Sequence, residues 1–198
     1  MGEMRINDAD GNRLYLKQKE VAAFLKEAKE ANVKIRTFAE TLAYTGCRIS
    51  EALEITHRDI QRDALQVTIN SLKKRRGDIY RNIPVPEPYM NTLVVAHTIV
   101  EKQRNVLKAK TKLWPWTRQH GYNVIKKLMV QTNIAEGNHR TPKGLRHAYG
   151  VNAISKDIPL NMLQKWMGHA DISTPAIYAN AIGMEEAQIA NKMWDNLN

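Results

Sequence analysis

The chain has 198 residues, 43% of them hydrophobic and 25% charged, which suits a single domain with a real core. Its one cysteine, Cys47, excludes an intrachain disulfide and a cysteine-rich zinc site, and no run approaches the roughly 18 apolar residues of a membrane helix. Thirty Lys and Arg against 20 Asp and Glu give a formal charge of +10, so a polyanion is the leading partner class, although charge alone does not separate DNA from RNA or an anionic membrane.

The opening MGEMRINDADGNR mixes both charge signs where a signal peptide would be apolar, and a soluble cytoplasmic protein is expected. Residues 17–31 place Val21, Phe24, Leu25 and Ala28 at helical spacing, and Ile35, Phe38 and Leu42 repeat it in a second helix. Gly46 should close that helix in the left-handed conformation, and a short helix is expected from Ser50 to Glu54. From Leu65 the period becomes two (Leu65, Val67, Ile69), and Ile79 to Val85 is a second β-prone run. Between them the basic run from Lys73 to Asp78 predicts a hairpin with a positive tip. Helix returns from Pro88 to about Val106, breaks at Trp114-Pro115-Trp116 and resumes from Gln119 to Val130. Thr141-Pro142 is an N-cap with proline at the first helical position, Pro159 starts another helix, and Thr174-Pro175 repeats the cap signature before Tyr178. From Arg104 to Arg146 ten basic side chains face one acid, Glu136, so the positive field is local. No internal repeat or interdomain linker is evident.

Taken singly, Arg48 reads as a surface arginine, His169 as a capping or core histidine, and Tyr178 as a packing aromatic. Their order and settings say more. Thr45-Gly46-Cys47-Arg48-Ile49-Ser50-Glu51-Ala52-Leu53 resembles the first arginine box of tyrosine recombinases, the phage-integrase family. The basic hairpin follows at the expected place. Gly144-Leu145-Arg146-His147 resembles the second arginine box, and the segment from Met167 to Thr174 resembles the LGHxxIxTT stretch ahead of the nucleophile, with Tyr178 nine positions after His169. The likeness runs from about residue 17 to 180. It implies a mainly α catalytic domain with a small β-hairpin, acting on DNA phosphodiesters through a phosphotyrosine intermediate with no cofactor and no metal.

Residue chemistry points the same way, because cutting a phosphodiester with a side chain needs an oxygen attacker, charge on the phosphate and a proton for the leaving alcohol. Arg48 and Arg146 offer permanently charged planar forks for the nonbridging oxygens. Tyr178 offers the attacking oxygen and His169 assists it. The family takes the leaving-group proton from a hairpin lysine. Lys73 is the first choice, since it continues the parity of Val67, Ile69 and Ser71; an irregular hairpin would leave Lys74 instead. Arg75 and Arg76 are phosphate-contacting or simply solvated tip residues. Glu51, one turn after Arg48, is expected to orient it, against the alternative of a solvated helix-start acid. Trp114, Trp116 and Tyr122 are either nucleotide-stacking or core residues and are assigned no site.

The chain departs from the family at two places. Lys143 stands where most relatives carry the histidine of the second box, and a charged lysine donates to phosphate but does not accept a proton. A separate N-terminal DNA-clamping domain, usual in the family, has no room ahead of Arg48, so the expectation is a catalytic domain acting alone or trimmed from a longer chain.

These features lead to a site-specific recombinase or integrase of a prokaryote or mobile element, bound to double-stranded DNA at the nucleoid. A tetramer on paired sites is expected, with accessory DNA-bending proteins as further partners and no membrane. The segment 184–198 reads as an amphipathic helix open to exchange between protomers. A type IB topoisomerase and a noncatalytic DNA-binding regulator on the same fold are the rival readings.

Overall fold

The computed structural model describes residues 5–71 and 79–168. Helices α1 (Gln18–Glu30) and α2 (Val33–Thr45) lead into the one-turn α3 (Ile49–Ala52). Strands β1 (Ile60–Gln61), β2 (Gln66–Ser71) and β3 (Ile79–Pro84) form an antiparallel sheet in that order. The chain then returns to helix as α4 (Glu87–Ala96), α5 (Ile99–Gln103), α6 (Val106–Ala109), α7 (Arg118–Gln131), α8 (Pro142–Ser155) and α9 (Leu160–Met167). The architecture is mainly α with a small sheet, as the sequence patterns imply. No helix among the described residues is long and apolar enough to cross a membrane.

Helix α2 is the centre of the molecule, packed against α1, α4 and α8. Phe38, Ala39 and Leu42 are buried on it together with Thr37, Thr41 and Thr45. The threonine hydroxyls stay satisfied inside because Thr41 donates to the Thr37 carbonyl and Thr45 to the Thr41 carbonyl, each at 2.7 Å. Trp114 is fully buried with its edge toward Phe38, ring centroids 5.3 Å apart, and its indole N–H reaches the Lys34 carbonyl at 2.9 Å. Trp116 also packs against Phe38, ring centroids 5.2 Å apart. Trp114 is therefore a core residue, and Trp116 is half-buried against that core. In the sheet, Val67 pairs with Ile83 and Ile69 with Arg81, so their side chains share the inward face. A smaller apolar cluster of Ala153, Leu163 and Met167 joins α8 to α9.

Several boundaries differ from those the patterns suggest. Leu65 takes a left-handed φ of 51° in the turn ahead of β2, so the alternation starts at Gln66. The long helix expected from Pro88 to Val106 is three pieces. It breaks at His97–Thr98, where Thr98 has φ 50°, and again at Arg104–Asn105, where the Asn105 side chain caps α6 by accepting from the backbone of Leu107 and Lys108. Buried His97 anchors the first break through a 2.9 Å bond to the Thr37 hydroxyl. Pro159 is the residue before α9 rather than its first member, and β1, two residues long, has no counterpart in the pattern.

Candidate active site

Gly46 ends α2 with φ 58°, its amide returning to the Leu42 carbonyl at 3.1 Å. A side chain here would be strained by the backbone and would also strike Tyr149, since an added Cβ would lie 2.5 Å from its ring. The turn delivers Arg48 to the start of α3. There the Glu51 carboxylate accepts the Arg48 backbone N–H and the Arg48 Nη1, both at 2.9 Å. One acid thus caps the helix and holds the guanidinium. The Arg48 side chain keeps 41% of its surface exposed while that of Glu51 keeps 2%.

Glu51 also takes a second arginine, which sequence reasoning passed over. Arg81 of β3 is buried, and its Nη2 donates to Glu51 Oε2 at 2.6 Å. Its Nη1 reaches the Ser71 hydroxyl at the end of β2 at 2.6 Å, and its Nε reaches the Trp166 carbonyl of α9 at 2.8 Å. The signal was the strand parity: Arg81 lies in step with buried Ile83 and Val85, an inward position where a charge needs a partner. Burial alone would raise the Glu51 carboxyl, but the charges of Arg81, Arg48 and Arg146 and the Arg48 backbone bond outweigh it and hold it below the ordinary carboxylate value.

The second arginine comes from α8, which opens with the Thr141 hydroxyl accepting from the Gly144 amide at 3.1 Å and Pro142 in its first turn. Gly144 leaves space for the backbone to close up, because an added Cβ would lie 1.8 Å from the His139 carbonyl oxygen. One turn on, buried Arg146 donates from Nη1 to the Gly46 carbonyl at 2.7 Å and from Nη2 to the Met167 carbonyl at 2.8 Å. These bonds tie together the Gly46 turn, α8 and the end of α9. His147, beside it, is fully buried, and burial with the neighbouring Lys143 and Arg146 charges pushes its imidazole down to about 4. Lys143 is exposed on the first turn of α8.

The structure therefore brings Arg48, Glu51 and Arg146 together and adds Arg81 to them. Lys73, Lys74, Arg75, Arg76, His169 and Tyr178 lie outside the described residues, as does segment 184–198. In sequence they follow β2, described to Ser71, and α9, which Gly168 closes in the left-handed conformation. Part of the basic middle is spent on internal contacts. Arg140 donates to the Ile134 carbonyl and Glu136, Lys126 donates to the Arg140 carbonyl, and Lys112 pairs with Glu54.

The model of the phage integrase family matches residues 14–183. Among characterised proteins, tyrosine recombinase XerA of Pyrococcus furiosus is 25% identical over 193 residues, 92% of this chain and 63% of its own length. Tyrosine recombinase XerD of Staphylococcus haemolyticus is 28% identical over 170 residues, 83% of this chain and 56% of its own. The chain thus spans 63% and 56% of these two relatives. Two solved structures share the fold. One is the XerH site-specific recombinase bound to a palindromic difH substrate in a post-cleavage complex, with TM-score 0.70, 21% identity and coverage of 97% of this chain and 56% of that one. The other is the catalytic domain of bacteriophage HP1 integrase, with TM-score 0.62, 17% identity and coverage of 93% and 96%.

Proposed function

The chain belongs to the phage integrase family, and on that premise we propose that it cuts and rejoins DNA strands as a site-specific recombinase. The observation that carries the reading is the meeting of two arginines from separate motifs: Arg146 bonds the carbonyl of Gly46, 100 residues away in sequence, on the turn that presents Arg48. Two guanidinium groups beside one turn suit the two nonbridging oxygens of a phosphodiester, whose charge grows as a fifth oxygen approaches phosphorus.

In this reading the Tyr178 oxygen attacks phosphorus and gives up its proton to His169, another group or water. The bond to the 5′ oxygen breaks, and Lys73, with Lys74 as the alternative, supplies the proton that makes it a 5′-hydroxyl. The 3′-phosphotyrosyl bond is later attacked by a 5′-hydroxyl from a partner strand, which returns the tyrosine. One phosphodiester is exchanged for another, so no nucleotide is consumed. Lys143 would add charge at the phosphate from the first turn of α8. Recombination between two duplexes calls for four protomers on paired sites, and segment 184–198 is the candidate link between them. If so, deleting it should weaken assembly on paired sites more than binding to one site.

The test is covalent capture. Wild-type protein is incubated with a pool of randomised duplexes nicked to trap the cleaved strand, and adducts that survive denaturant are amplified and sequenced. Wild type should yield adducts of a preferred sequence, and Tyr178→Phe should yield none while binding the same duplexes. Relaxation of supercoiled DNA without strand exchange would favour a topoisomerase. Tight binding with no adduct would leave a noncatalytic regulator.

A further inference from the structure

Glu51 of α3, Ser71 of β2 and the Trp166 carbonyl of α9 lie on three separate elements, and Arg81 bonds all of them. Each contact leads to a different part of the proposed machinery. Glu51 holds Arg48. Ser71 is the last residue of β2, two positions before Lys73. Trp166 is the penultimate residue of α9, whose closing Gly168 precedes His169. The Arg81 side chain is 3% exposed, and each of its three nitrogens donates to a protein acceptor.

We infer that Arg81 is a positioning residue of the strand-cleavage reaction, setting by one guanidinium the relative placement of Arg48, the base of the basic hairpin and the end of α9. The inference rests on the recombinase reading above. Three acceptors lying in different directions require a planar fork with several N–H groups. A lysine brings its donors from one nitrogen, and a glutamine brings a neutral amide. Packing around Gly168 shows how closely the three parts are set: an added Cβ there would lie 3.0 Å from Arg81 Nη1 and 3.1 Å from the Ser71 hydroxyl. Misplacing reacting groups by an ångström costs on the order of a hundredfold in rate, whereas binding, spread over many phosphate contacts, barely responds.

The experiment compares wild type, Arg81→Gln and Arg81→Lys in two arms. The first measures single-turnover cleavage and equilibrium binding on the duplex recovered by covalent capture. Arg81→Gln should cleave about a hundredfold more slowly at saturating DNA with affinity within about threefold, and Arg81→Lys should fall between it and wild type. The second arm uses no DNA and follows amide hydrogen exchange at residues 49–53, 66–71 and 160–168, which should quicken together in Arg81→Gln while the α1 and α2 amides keep their protection. Should Arg81→Gln not fold, Arg81→Lys carries both arms. Wild-type cleavage rates in the variants overturn the inference. So do parallel losses of rate, affinity and melting temperature, which describe a merely structural residue, or exchange that stays unchanged at those three segments. A wild type that never cleaves removes the recombinase reading instead, and the exchange arm still decides whether Arg81 couples the three elements.

Discussion

Replacing Gly46 by alanine should be among the most damaging small substitutions in the protein. At φ 58° an L-residue pays roughly 1–2 kcal/mol in backbone strain. The added Cβ, 2.5 Å from Tyr149 Cδ1 and 2.6 Å from its Cγ, brings an overpacking cost of about 1–3 kcal/mol. The two together give roughly 2–5 kcal/mol, or a fall in melting temperature of about 5–15 °C for a domain of this size. Equilibrium urea denaturation of wild type, Gly46→Ala, Tyr149→Ala and the double variant separates the contributions. With the ring gone, the alanine should cost only its backbone share, about 1–2 kcal/mol, and the difference between backgrounds is the contact. A loss below about 1 kcal/mol in the single variant would refute the left-handed requirement. An identical loss in both backgrounds would refute the clash with Tyr149.

Arg48→Ala and Arg146→Ala should each slow DNA cleavage by on the order of a thousandfold, yet only Arg146→Ala should also lower thermal stability by several degrees, since it strands the buried carbonyls of Gly46 and Met167. Equal stability losses in calorimetry would contradict the different burial of the two arginines. Lys143→Ala should reduce cleavage with little change in melting temperature, and Lys143→His should recover much of the rate; unchanged cleavage in the alanine variant would make Lys143 a solvated helix-start residue. Stability should fall in two stages on acidification. His97 and His147 are both pushed down to about 4 by burial, so the unfolded chain takes up their protons first and stability declines from pH 6.5 toward 4. Glu51 is held below its ordinary 4.5, so its contribution is present above that pH and is lost as pH falls further through its folded value. Chemical denaturation at a series of pH values checks both, and Glu51→Gln should flatten only the lower stage.

The parts of the site that sequence exposed are those built from local chemistry. Gly46 as a helix terminator and Thr141-Pro142 as a helix start are decided within a few residues, and the structure has both. The link from Glu51 to Arg48 is also short-range, one turn on α3. Arg81 was hidden because its partners are 30, 10 and 85 residues away and because it follows a run of basic side chains that reads as surface. Only its parity with Ile83 hinted at burial. The break at Thr98 was hidden differently. No glycine or proline marks it, and the apolar spacing continues across left-handed Thr98, next to a histidine bonded to Thr37 of α2.

The end of α9 has an electrostatic consequence. A helix C-terminus is the negative pole of the peptide dipoles, with its last carbonyls lacking helical partners. A pole of that sign next to a phosphodiester would repel the substrate proposed for this chain. Here two of those carbonyls, on consecutive residues Trp166 and Met167, are each met by a guanidinium, Arg81 on one and Arg146 on the other. The negative pole is thereby offset by cationic donors at the end of α9, on the residues that precede His169 in sequence.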